Sequence, residues 1–241
     1  MNIIESILKN NACYTSGKKI QVKGLMLHSV GCPQPNASVF VKNWNTSSLQ
    51  ACVHAFIDGN TGDVYQTLPW NHRGWHGGGS SNNTHIGVEM CEPACIKYTS
   101  GSSFTCSDLS TARAVAKRTY ESAVELFALL CKKFDLNPLA DGVIISHKEG
   151  HSRGIATNHG DPEHLWTQLG LNYTMNQFRN DVKSSMNKSE PLTSANDITW
   201  ELNHSFFPIT NMEKFVQELD DAKSKNSSLY WGYYKLVNKI K

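Results

Sequence analysis

Two histidines stand at the ends of short apolar segments, and a polar loop follows the second of them. His28 closes the first segment and His147 closes the second. The loop adds an imidazole at His159 and a carboxylate at Asp161. A single histidine at such a position is more often a hydrogen-bonded residue than a metal ligand. Together, however, these side chains supply the donors of an open zinc site, in which three protein ligands leave the fourth position to water.

A glutamate on a further apolar segment supplies the remaining chemistry. Glu89 lies in residues 85–90, where the alternation of a strand puts its side chain on the same face as Gly87. If that face looks inward, the carboxylate is buried, and charged groups are rarely buried without a task or a partner. Glu89 is therefore a candidate for catalysis, with an ion-paired glutamate on an edge strand as the alternative.

Five short and partly β-branched apolar segments predict the strands that hold these side chains in place. They cover residues 22–28, 52–57, 63–67, 85–90 and 142–147. The connection at residues 58–62, Asp-Gly-Asn-Thr-Gly, favours a tight antiparallel hairpin between the second and the third segment.

The helical pattern is strongest over residues 107–134, with Ser107 or Asp108 as the cap. Two further helices are predicted at residues 174–186 and near residues 3–8. Because strands and helices intermix, the sequence indicates an α/β or α+β fold, with a central mixed β-sheet flanked by helices.

The composition argues against several classes of protein. The formal net charge of +2 is too small for a strong field toward a polyanion, so no nucleic acid partner is expected. No segment approaches the roughly 18 apolar residues of a membrane span, and the N-terminal segment is too mixed for a signal peptide. Seven cysteines without a recurring CxxC pair predict mostly reduced thiols rather than a disulfide framework or a four-cysteine zinc site.

Several fragments of the chain follow one another in the order found in a known enzyme family. They are residues 27–29, 53–58, 63–66, 73–78, 86–89, 146–149 and 161–162. In this order the chain resembles the type 2 N-acetylmuramoyl-L-alanine amidases, which share a fold with peptidoglycan recognition proteins and with phage amidases of the T7-lysozyme class. The resemblance covers about residues 18–185.

The resemblance implies a role for each candidate residue. His28 and His147 match the first and second zinc ligands of the family, and Asp161 matches the third. Glu89 matches the carboxylate assigned to the general base. His159 falls where relatives place a lysine that polarises the scissile carbonyl, and it is therefore the second catalytic candidate.

The third zinc ligand stays open between two residues. The loop after His147 is longer than in better known relatives and contains His151 and His159 as competing nitrogen donors. Asp161 is preferred to His159 because the Asp-Pro pair and the Leu-Trp pair after it reproduce the local pattern of the family. His151 ranks below His147 because it does not close the strand.

Residues Trp75, His76 and Gly77 form the Trp-His-Gly element of the family pattern. They are expected to line the cleft and to bind substrate. A tight turn that only packs against its neighbours is the alternative.

The function implied by the resemblance is zinc-dependent hydrolysis of the amide bond between N-acetylmuramic acid and L-alanine in bacterial peptidoglycan. The expected protein is a monomer that acts at the cell wall as an endolysin or autolysin. Without an export signal it would be made in the cytoplasm, which favours a phage endolysin. Two alternatives are a recognition module that binds peptidoglycan without cutting it, and a muramidase, which would need paired carboxylates and no metal.

The chain also predicts a division into domains. Residues 1–186 would form the catalytic domain, and the polar, proline-containing residues 187–196 a linker. Residues 197–241 would form a small helical unit rich in aromatic residues, among them Trp231, Tyr233 and Tyr234. This unit either docks on the catalytic domain or presents its aromatic side chains to wall sugars.

Overall fold

The computed structural model describes residues 1–187, of which Met1–Met186 form one compact unit around a six-stranded sheet. Its strands are β1 (Ile3–Glu5), β2 (Gly24–Ser29), β3 (Ala55–Ile57), β4 (Val64–Gln66), β5 (His85–Met90) and β8 (Ile144–Ser146), and a separate hairpin consists of β6 (Ile96–Ser100) and β7 (Ser103–Cys106). The helices are α1 (Ala12–Thr15), α2 (Ala37–Trp44), α3 (Leu109–Lys133), α4 (His147–Ser152), α5 (Glu163–Gln168) and α6 (Met175–Asn187), together with a 3₁₀ turn, Ser80–Asn83.

The order of the strands in the sheet is β1-β4-β3-β5-β2-β8. Only β3 and β4 pair antiparallel, while the other neighbours pair parallel. This confirms the predicted mixed sheet and its hairpin, in which the Asp58 carboxylate accepts the backbone N–H groups of Asn60 and Thr61. Gly62 completes the turn with a φ of +79°, a conformation that favours glycine.

The N-terminal segment differs from the sequence expectation. The helix predicted near residues 3–8 is wrong, because Ile3–Glu5 form an edge strand parallel to β4 with Ile3 opposite Val64. A helix as short as residues 3–8 is not stable by itself. The backbone N–H and C=O groups of Ile3–Glu5 pair with β4 instead. The long helix α3 is confirmed, with Asp108 as the cap that accepts the N–H of Thr111.

The two faces of the central sheet contact different parts of the protein. Leu25, Leu27 and Val88 belong to a fully buried cluster that also includes Phe127 of α3. Each such side chain stabilises the fold by roughly 1.5–3 kcal/mol. Because side chains alternate along a strand, the residues between them on β2 and β5, including His28, look toward the opposite face. The sheet therefore separates the main apolar core from the candidate site.

Two further expectations concern a membrane span and the C-terminal residues. No helix among residues 1–187 is both long and apolar enough to cross a membrane. The predicted unit at residues 197–241 lies outside the described residues, as does the linker at residues 187–196 apart from Asn187. Both stay predictions.

Candidate metal centre

Two histidines and an aspartate meet at the carboxyl end of the parallel strands. The Nδ1 atoms of His28 and His147 are 3.0 Å apart, and Asp161 Oδ2 lies 3.2 Å from His28 Nδ1. The other Asp161 oxygen is 3.6 Å from His147 Nδ1. All three residues are buried, and their ligand atoms lie within 4.8 Å of one another. Ligands about 2.0–2.2 Å from a tetrahedral zinc ion lie about 3.3–3.5 Å apart, so this donor set fits that ion.

Neighbouring strands bring the two histidines together. β2 and β8 pair parallel with Leu27 opposite Ser146. The residue that follows each of these in the chain is a candidate ligand, His28 or His147. His147 is also the first residue of α4, where Ser146 and Glu149 form a capping box. The cap fixes the direction in which the chain leaves the strand, and it thereby fixes the position of the His147 ring.

Asp161 lies on a loop that is hydrogen-bonded to the end of β8 and the start of α4. Its backbone oxygen accepts the N–H of Lys148 at 3.3 Å. Just after it, the Glu163 carboxylate accepts the hydroxyl of Ser146 at 2.7 Å. These two hydrogen bonds tie the loop to the beginning of α4, next to His147.

The charges of the three groups depend on one another. Burial opposes a charge on His28, but its hydrogen bond to Asp161 and the charges of Glu89 and Asp161 raise its pKa above the usual value. Burial and the charge of His28 lower the pKa of His147 to about 4. Burial also opposes ionisation of Asp161, yet the two histidines hold its pKa below the usual value. The cluster therefore favours a positive charge next to the Asp161 carboxylate, which a proton on His28 supplies here and a zinc ion would supply in its place.

Glu89 lies beside the cluster on the neighbouring strand, directly opposite His28 in the register of β2 and β5. Its Oε2 atom is buried and has no hydrogen-bond partner among the described residues. Burial raises the pKa of Glu89 to about 8, while the charge of His28 lowers it and that of Asp161 raises it. An unpartnered carboxylate oxygen at this place is available to accept a proton.

The two competing histidines of the loop lie outside the cluster of three. His159 has a side chain that is 60% exposed, stacks on the His147 ring at 4.5 Å, and reaches Asp161 only at 3.9 Å. His151 is exposed on α4 and contacts the carbonyl of Ala156. Of the two candidates for the third ligand, the structure thus brings Asp161 into the cluster and leaves His159 at its margin.

The residues expected to line the cleft take different positions. Trp75 is 43% exposed and lies under the guanidinium of Arg73. The ring of His76 lies behind His28, with its Nδ1 atom 3.0 Å from His28 Nε2, and Gly77 is buried. Only Trp75 of the three presents a large exposed surface, whereas His76 lies against His28 and Gly77 is linked to His147 through Thr157.

The sequence analysis missed a buried polar network beside the site. Glu92 is fully buried and accepts hydrogen bonds from the hydroxyl of Tyr98 at 2.8 Å and from the N–H of Gly31 at 3.2 Å. The same hydroxyl lies 2.7 Å from His164 Nε2. Burial raises the pKa of Glu92 to about 7, against the hydrogen bonds that lower it. The only signal in the sequence was an acid two residues after an apolar strand.

Comparison with known proteins assigns the matched region to one family. The model of the family described as N-acetylmuramoyl-L-alanine amidase matches residues 18–164, which include the whole candidate cluster. The N-acetylmuramoyl-L-alanine amidase XlyA of Bacillus subtilis (strain 168) is 30% identical over 102 residues, which are 39% of this chain and 33% of XlyA. The match therefore spans about a third of the length of that relative.

Solved structures share the fold. The catalytic domain of XlyA superimposes with a TM-score of 0.52 at 19% identity, covering 76% of this chain and 99% of that domain. The Staphylococcus aureus hydrolase AmiA, solved in complex with its ligand, gives a TM-score of 0.55 at 19% identity, covering 77% of this chain and 83% of AmiA. At this identity the likeness supports the mixed α/β architecture alone.

Proposed function

Because the chain belongs to the N-acetylmuramoyl-L-alanine amidase family, we propose that it is a zinc-dependent peptidoglycan amidase. It hydrolyses the amide bond between N-acetylmuramic acid and the first L-alanine of the stem peptide. His28, His147 and Asp161 are the proposed zinc ligands. The observation that carries this proposal is their buried cluster, whose donor types and spacing suit a three-ligand site.

The chemistry divides between the metal and the side chains around it. When bound, zinc polarises the scissile carbonyl and lowers the pKa of a bound water toward about 7. Glu89 would take a proton from the water molecule that attacks the amide carbonyl, because its Oε2 atom is an unpartnered acceptor beside the cluster. The same carboxyl then returns the proton to the leaving amine of L-alanine.

His159 completes the proposed catalytic set. Its ring is exposed and stacks on His147, so it can reach a substrate that approaches from solvent. In this position it donates a hydrogen bond to the oxyanion that develops on the carbonyl oxygen. Such a donor typically contributes a few kcal/mol to the transition state, about 10²–10³-fold in rate. Trp75, exposed near the same site, is the proposed contact to substrate.

The biological setting follows from the substrate. An enzyme of this kind acts at the bacterial cell wall, as an endolysin or an autolysin. We propose that residues 1–186 are the catalytic domain, that residues 187–196 are a linker, and that residues 197–241 bind the wall through Trp231, Tyr233 and Tyr234. Deleting residues 191–241 should leave hydrolysis of a soluble muropeptide intact and reduce co-sedimentation with purified walls. Equal sedimentation of both forms would remove the wall-binding role.

The decisive experiment for the activity is digestion of purified sacculi followed by mass spectrometry of the products. We expect stem peptides with a free L-alanine amine and intact glycan strands, and we expect the products to disappear with a zinc chelator and return with added zinc. New reducing ends that form in the presence of the chelator would instead indicate a muramidase. Binding to sacculi without any release of peptide would indicate a recognition module.

A further inference from the structure

The turn at residues 75–77 lies directly behind both candidate histidine ligands. The ring of His76 contacts the ring of His28 on the side away from the cluster. The carbonyl of Gly77 reaches His147 through the hydroxyl of Thr157. One short turn therefore touches the outer nitrogen of each ligand, directly in one case and through one side chain in the other.

The hydrogen bonds on the His28 side allow one placement of protons. The backbone oxygen of His85 can only accept, so the Nε2 atom of His76, 3.1 Å away, carries a proton. A neutral imidazole that carries its proton on Nε2 has its lone pair on Nδ1, so the Nδ1 atom of His76 accepts. His28 must then donate from Nε2, at 3.0 Å. The Nδ1 atom of His28 then faces the cluster, where it donates to the Asp161 carboxylate and would bind a metal ion in place of that proton.

The hydrogen bonds on the His147 side lead to the same result. The Gly77 oxygen accepts the hydroxyl proton of Thr157 at 3.3 Å. The hydroxyl oxygen in turn accepts from His147 Nε2 at 3.2 Å, so that nitrogen carries the proton. The Nδ1 atom of His147 therefore has its lone pair free, and it is the atom that lies 3.0 Å from His28 Nδ1.

The surroundings hold this turn in place. Asn82 Oδ1 accepts the backbone N–H groups of both His76 and Gly77, each at 2.9 Å. The His76 ring occupies space that is free only because residue 87 of β5 is glycine, since a Cβ atom on Gly87 would overlap the ring. The strand alternation that brings Gly87 to the face of Glu89 thus also makes room for His76.

We infer that this turn sets the tautomer and ring orientation of both ligand histidines, and that His76 is a positioning residue for the metal rather than a substrate contact. The inference rests on the proposed function, because it concerns the metal held at that cluster. Partners of this kind fix which ring nitrogen is free to bind, and their loss typically weakens metal binding by about 10–100-fold.

The first test measures the zinc dissociation constant by competition with a chelating dye. His76→Phe keeps a flat ring over Gly87 but cannot accept, and we expect about 10–100-fold weaker binding. His76→Asn places an amide oxygen near the position of Nδ1, and binding should stay within about threefold of the unsubstituted protein. His72→Phe is the matched control, because His72 is a buried histidine of the same segment that stacks on Tyr14 and lies outside the cluster.

The second test observes the ring nitrogens of the metal-free protein by ¹⁵N NMR. Both ligand histidines should be protonated on Nε2, and His28 should carry a further proton on Nδ1, next to Asp161. His76→Phe should change which ring nitrogens of His28 carry protons and leave His147 as it was, while Thr157→Val should do the reverse. Unchanged zinc affinity and tautomer in His76→Phe would overturn the inference. If the unsubstituted protein bound no zinc while the tautomers responded as described, the proposed function would fail and the positioning role would stand.

Discussion

The candidate site has a half that belongs to the sheet and a half that belongs to a loop. His28 and Glu89 lie on adjacent parallel strands, where the backbone ladder places them opposite each other. Asp161 and His159 lie on the loop between α4 and α5, which hydrogen bonds and side-chain contacts attach to the rest. The first half is positioned by backbone pairing that does not depend on its own side chains, and the second half depends on a few identifiable contacts.

This difference predicts how each half responds to substitution. A change in the sheet half should remove chemistry and leave the geometry intact, because the strands stay paired. A change at an attachment point of the loop should alter metal affinity, because Asp161 would lose its position.

The largest effect is expected at Glu89. Glu89→Gln keeps the shape of the side chain and removes only its ability to take a proton, so turnover of a muropeptide should fall by at least about 100-fold. Zinc content and the circular dichroism spectrum should match those of the unsubstituted protein. If turnover fell by less than about tenfold, the general base would be another residue.

The second effect concerns Glu92. Its carboxylate accepts the N–H of Gly31 and the hydroxyl of Tyr98, and the same hydroxyl contacts His164. Its pKa of about 7 in the folded protein exceeds the value near 4.3 of an unfolded chain, so the native state binds the extra proton between these values. Stability should therefore fall as the pH rises from about 4.3 to 7. Glu92→Gln should gain about 1–3 kcal/mol in unfolding free energy, relative to the unsubstituted protein, between pH 4.5 and pH 8.

Urea unfolding at the two pH values measures this change. Glu121→Gln is the control, because Glu121 is exposed on α3 and pairs only with Lys117 among the described contacts. A pH-dependent difference of the same size in both variants would show that Glu92 has no special role.

A third effect tests the attachment of the loop. Glu163→Leu removes the acceptor of the Ser146 hydroxyl, and we expect about tenfold weaker zinc binding as Asp161 shifts. Glu163→Gln keeps an acceptor and should restore affinity. Equal affinity of the leucine variant and the unsubstituted protein would mean that the loop is held by other contacts.

The smallest effect is expected at the exposed surface. Trp75→Ala should raise KM by about threefold to tenfold with little change in kcat, because an aromatic contact to substrate is made equally in the ground and transition states. Leu139→Ala, at another exposed apolar side chain, should leave both constants unchanged. A fall in kcat alone would place Trp75 in the chemistry instead.

The same division explains what could be predicted from the sequence. His28 and His147 end apolar segments, and parallel strands of similar register bring such ends together, so their meeting was predictable from local pattern. The family pattern favoured Asp161 over His159 but left the choice open, because both lie in one loop. The position of Asp161 depends on two hydrogen bonds between different elements. One joins its backbone oxygen to the N–H of Lys148, and the other joins the Glu163 carboxylate to the hydroxyl of Ser146.

Contacts between distant residues also account for the errors. Ile3–Glu5 became a strand because β4 offered it a partner 61 residues away, which no local propensity reveals. The substrate contact expected at His76 came from a family pattern and stays a prediction, while the ring lies between His28 and the carbonyl of His85. The hairpin of β6 and β7, which carries Tyr98, was not anticipated because its short strands are mostly polar and exposed.

The central claim is that His28, His147 and Asp161 hold a zinc ion, and zinc content measured by elemental analysis tests it most directly. We expect one zinc ion per chain in the unsubstituted protein and in His159→Ala, and almost none in His28→Ala, His147→Ala or Asp161→Ala, with all variants folded by circular dichroism. Full zinc content in His28→Ala or His147→Ala would contradict the account. Retention in Asp161→Ala together with loss in His159→Ala would contradict the third ligand.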